Sequence, residues 1–115
     1  MSKKSLLQGI LETVATGGVV QAVDAADIWP TTDEGLPWQD ICRASQKSLD
    51  AAQNAHRHNL KDWGVHIGTE NNGEFHVIVG STKNGKWYAE AFHADMAVAW
   101  LIAILTAMIE FEAQI

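Results

Sequence analysis

The 115-residue chain has a single cysteine, Cys42, so no internal disulfide can stabilise it. Lone cysteines of this kind favour a reducing compartment, and a cytoplasmic location is expected. Proline occurs only at 30 and 37, and the nine glycines are scattered, which excludes collagen-like and low-complexity polymers. Cations are scarce: eight Lys+Arg oppose fourteen Asp+Glu, for a formal charge of −6. No Lys or Arg falls between Lys4 and Arg43. Phosphate binding normally needs a cationic surface, so a nucleic-acid partner is disfavoured. No apolar run reaches membrane length. The longest, Met96 to Ile109, has Thr106 as its only polar member and falls short of the roughly 20 residues a span requires. At the start, Leu6-Leu7 follows two lysines, but Gln8, Glu12 and Thr13 interrupt what a secretory leader would keep apolar. No leader and no membrane association are expected.

Hydrophobic residues make up 47% of the chain and charged ones 19%, enough for one compact core without metal or disulfide. A single domain is expected over 1–115, with a helical N-terminal extension (1–36) before a core of residues 37–115.

Leu6, Leu7, Ile10, Leu11 and Val14 recur at helical spacing, and Gly17-Gly18 marks the end of that helix. Residues 19–29 suit a short second helix better than an edge strand, because Asp24-Ala25-Ala26-Asp27 is poor strand sequence. Pro30 to Pro37 reads as a loop. From Pro37, apolar positions continue at three- and four-residue steps through Ile41, Cys42, Ser45, Leu49, Ala52 and His56 to Leu60, predicting one long helix. On that stripe Cys42 is a small hydrophobe, with no adjacent base to make it a nucleophile.

Three alternating segments follow, around 63–68, 75–80 and 87–92, punctuated by Asn71-Asn72-Gly73 and Lys83-Asn84-Gly85. A three-residue first turn sets Ile67 across from Val77 and Val65 across from Val79, so the apolar faces coincide. Ala89 and Ala91 leave room on that face for a close-packed helix. Asp95 is positioned to cap a last helix running to about Ala113. The fold class is therefore α+β: a three-stranded antiparallel meander on helices, in the order α-β-β-β-α with an extra N-terminal helical segment.

That order, with Glu74-Phe-His-Val-Ile-Val-Gly, Gly85-Lys-Trp-Tyr-Ala-Glu-Ala and an alanine-rich final helix, resembles the double-stranded RNA-binding domain family. In that family a lysine cluster opening the last helix grips phosphates. Here those positions read His93 to Ala99 without Lys or Arg, so the resemblance implies the fold and not the RNA contact. In its shortness and acidity the chain also resembles small bacteriophage and prophage accessory proteins, which implies adaptation or inhibition of a host machine.

The expected function is a non-catalytic protein-interaction module for a basic partner. Its contact groups are the acidic Asp24, Asp27, Asp33 and Glu34 with the aromatic Trp29 and Trp38, and His66, His76 and Tyr88 on the outward sheet face. The N-terminal helix is the favoured cover for that face. A nucleic-acid binder using Lys47, Arg57, Lys61, Lys83 and Lys86 is one alternative. A metal- or histidine-dependent enzyme built on His66, His76 and Glu90 is another. No Gly-x-Ser-x-Gly elbow or phosphate loop is present, and no cofactor is expected. The final helix is apolar on every side, which predicts a homodimer through Trp100, Ile104, Met108 and Phe111.

Overall fold

The computed structural model describes residues 2–81 and 86–113, the latter without the side chains of 86–88 and 111–113. The second hairpin turn, with Lys83, lies outside the described residues.

Among the described residues, five helices and three strands form an α+β fold: α1 (Lys3–Ala15), α2 (Ala22–Ile28), α3 (Pro37–Ser45), α4 (Leu49–Asn59), β1 (Trp63–Thr69), β2 (Phe75–Ser81), β3 (Lys86–His93) and α5 (Met96–Ala113). Helix α1 starts at Ser2, whose hydroxyl accepts the Ser5 N–H, and buries Leu7, Ile10 and Val14. It stops at Gly17, which takes a φ of +86° that favours glycine. Gly18 N–H then donates to the Thr13 carbonyl at 2.8 Å. A Cβ on Gly18 would come within 2.9 Å of Thr13 Cγ2, so the chain can turn back this tightly only over glycine.

The long helix expected from Pro37 to Leu60 is two helices. Lys47 sits between them at φ +74°, and Ser48 caps α4 by accepting the Ala51 N–H. The bend fixes α3 to the N-terminal segment. Ser45 Oγ accepts the Val20 N–H at 3.0 Å and donates to the Cys42 carbonyl at 2.6 Å, all in the interior. The break also takes Leu49 off the apolar stripe, leaving it 45% exposed.

The sheet is antiparallel in the order β1-β2-β3. Val65 pairs with Val79 and Ile67 with Val77, the register that the apolar alternation predicts. Glu70 N–H donates to the Glu74 carbonyl and closes the three-residue turn, which ends on Gly73 at φ +87°. Asp95 Oδ1 accepts the Val98 N–H at 3.0 Å and caps α5.

Helix α5 is the middle layer of three. β2 and β3 lie on one side of it, and α1, α3 and α4 on the others. Ala89 and Ala91 on the sheet, and Ala97, Ala99, Ala103 and Ala107 on α5, are all buried and let the layers approach closely. This arrangement corrects two expectations. The N-terminal helix does not cover the outward sheet face, because α1 packs on α5 and its apolar stripe enters the common core. Nor is the apolar circumference of α5 left for a second copy: Trp100 is 7% exposed and Ile104 fully buried within the single chain. Met108 is half-buried, and the Phe111 side chain lies outside the described residues.

Among the described residues, no helix is long and apolar enough to cross a membrane.

Candidate functional site

Because α1 goes to α5, no helix among the described residues covers the outward sheet face. Its residues follow from the pleat: His66 pairs with Ile78 and Ile78 with Glu90, while Gly68 pairs with His76 and His76 with Phe92. The cross-strand neighbours His76 and Phe92 stack, with ring centroids 4.4 Å apart and planes 4° from parallel. Phe92 remains 48% exposed. His76 Nε2–H donates to Glu90 Oε2 at 2.8 Å, and its Nδ1 lies 3.8 Å from Glu70 Oε1. The imidazole is thus held flat between a ring and two carboxylates. Glu70 was not legible as a member of this group. Its sole sequence signal is a position one residue past the strand, where the turn folds it back.

The structure separates the histidines that the sequence offered as a pair. His66 is exposed and opposite Ile78, so it does not share the His76–Glu90 contact. Among the described residues, no group of three or more His, Cys, Asp or Glu side chains is arranged to hold a metal ion. Tyr88 lies in β3, but its side chain is outside the described set.

Three of the acidic residues line two clefts, and Asp27 and Asp33 line neither. Asp24 lines one of about 230 Å³ between α1 and the start of α2, with Leu6, Gly9, Ile10 and Val20. Glu34 and Asp40 line a second, of about 320 Å³, with Asn54, Arg57 and His58 of α4 on its opposite wall. Asp24, Asp27, Asp33 and Glu34 are all exposed. Thr32 and Gly35 exchange main-chain hydrogen bonds at 3.0 and 3.2 Å, which holds the acidic loop in a tight turn. Half-buried Trp38 braces it further, its Nε1–H donating to Thr31 Oγ1 at 3.2 Å.

Trp29 departs from expectation. It is 3% exposed and donates its Nε1–H to Asn59 Oδ1 at 2.8 Å, so it anchors α2 to α4 instead of meeting a partner. An indole needs one acceptor for its N–H, and Asn59 supplies it inside the fold.

Cys42 is buried, as its place on the apolar stripe predicts. Burial raises its thiol pKa, and the Asp24 carboxylate raises it further. A thiol with a raised folded-state pKa contributes stability that is complete below its unfolded pKa, near 8.5, and lost as pH rises beyond it. Urea midpoints are therefore expected to fall as pH rises above about 8.5, and the Cys42→Ala variant to lack that component. Disulfide-exchange reagents are expected to label the native thiol far more slowly than the unfolded one.

Comparison with protein-family models, with curated proteins and with solved structures finds no match.

Proposed function

We propose that the protein is a non-catalytic interaction module that engages a basic protein partner through its acidic surface. The observation that carries this reading is the exposure of Asp24, Asp27, Asp33 and Glu34 on a segment that has no Lys or Arg before Arg43. Such a field raises association rates with a cationic partner and suppresses binding to polyanions. Trp38, braced against Thr31, and Leu36, 41% exposed, supply apolar area beside the carboxylates. A role in adapting or inhibiting a host protein fits the chain's likeness to small phage accessory proteins.

Parallel pull-downs with the wild type and a variant carrying Asp24→Asn, Asp27→Asn, Asp33→Asn and Glu34→Gln test the reading. The variant is expected to retain basic proteins about tenfold less well at low salt, with the difference shrinking as salt screens the charges. Equal retention by both proteins overturns the proposal.

A further inference from the structure

The sheet has a free edge of specific shape. In an antiparallel pair, successive residues alternate between bonding the neighbour and facing away. The Glu70–Glu74 bond and the register place Gly64, His66, Gly68 and Glu70 on the bonded side of β1. The main-chain N–H and C=O of Val65, Ile67 and Thr69 consequently point out of the sheet, and no described group takes them. Trp63 is differently placed: its N–H donates to the Leu60 carbonyl, and its own carbonyl accepts from His56. The open stretch is therefore three alternate residues.

None of the usual guards protects it. β1 contains no proline and no Lys, Arg, Asp or Glu, and the irregularity in the sheet falls between Val79 and Gly80, away from this edge. The strand also overhangs. α5 packs beneath β2 and β3, whereas β1, apart from the His56–Trp63 bond, makes no comparable contact with any helix. Val65 and Ile67 point toward the helical side and pack against the margin of the core but are only partly buried, while their partners Val79 and Val77 are fully buried.

We infer that this edge pairs with the β1 edge of a second copy, antiparallel about a two-fold axis through Ile67. Of the symmetric registers, this one uses all three open residues: Val65 meets Thr69 of the other copy, Ile67 meets Ile67, and Thr69 meets Val65. It also sets His66 of each chain opposite Gly68 of the other, where a Cβ meets nothing within 4 Å. The uncharged strand brings no like charges face to face, which matters for a chain of net charge −6. A second copy would complete one six-stranded sheet and cover the overhanging Val65 and Ile67, which isologous symmetry does for both chains at once. This association is independent of the acidic surface.

Sedimentation velocity of the full chain tests it. The wild type is expected to show a concentration-dependent species of twice the 12.6 kDa chain mass. Thr69→Pro removes an outward N–H without touching the ladder to β2, and is expected to leave the circular dichroism unchanged while weakening the dimer at least about tenfold. His66→Glu with Gly68→Glu sets carboxylates opposite carboxylates and is expected to give monomer. His66→Glu with Gly68→Lys sets opposite charges in the same places and is expected to restore the dimer. A wild type that stays monomeric at every concentration overturns the inference, even if an extended peptide of another protein binds the edge. So does a dimer that none of these variants alters.

Discussion

Replacing His56 by alanine is expected to lower the unfolding free energy by about 3 kcal/mol, more than any other polar substitution among the described residues. The side chain is 7% exposed at the junction of α4, β1 and α5. An indole N–H can only donate and a carbonyl can only accept, and these two partners fix the histidine's tautomer. Trp100 Nε1–H donates to His56 Nδ1 at 3.1 Å, so the ring proton sits on Nε2 and donates to the Trp63 carbonyl at 2.8 Å. The rings of His56 and Trp100 also touch, with centroids 5.6 Å apart. Alanine leaves a buried donor unpaired and opens a cavity beside it. Phenylalanine fills most of the space but satisfies neither partner, so His56→Phe is expected to recover no more than about half the loss. Urea titrations followed by tryptophan fluorescence measure both. A His56→Ala variant within about 0.5 kcal/mol of wild type would show that the indole N–H finds another acceptor.

A larger loss, about 4 kcal/mol, is expected for Ile104→Ala. Ile104 is fully buried in the one helix that every layer touches, so truncation leaves a cavity that several elements would have to move to close. The same change at Met108, which is only half-buried, is expected to cost about 1.5 kcal/mol. Calorimetric or urea-induced unfolding of the two variants separates a central helix from an interface helix. An interface helix would lose dimer affinity at either position with little change in the stability of the monomer.

That contrast shows where the sequence was legible and where it was not. The strands, their register and the Asp95 cap were readable because each is a local, short-period signal: alternation of two, a turn ending in glycine, a carboxylate before an apolar helix. The all-round apolar pattern of α5 is equally clear, yet it fits a central layer as well as a shared interface. What decides between them is where the α1 stripe goes, and no local pattern records that Leu7, Ile10 and Val14 choose α5 over the open sheet face. Trp29 was misplaced for a related reason, since an aromatic beside carboxylates looks like a contact group until its N–H is found on Asn59. The break at Lys47 carries almost no signal of its own, because lysine has no preference for a positive φ. The one clue was Ser48 followed by Asp50, an N-cap with an acid in the first turn, set inside a stripe that otherwise ran on. The acidic surface, by contrast, was visible at once, because charge that has no interior to enter stays outside.

The layer that every other layer touches is also the last described helix in chain order, and α1, which rests on it, is the first. During synthesis the N-terminal helix therefore has only α2 to pack on while residues 30–95 emerge, and its main cover for Leu7, Ile10 and Val14 comes when α5 arrives. Contacts so distant along the chain slow folding, and for that interval the nascent protein presents a greasy helix to chaperones and proteases. How much of this protein a cell accumulates will depend on how quickly that gap is closed.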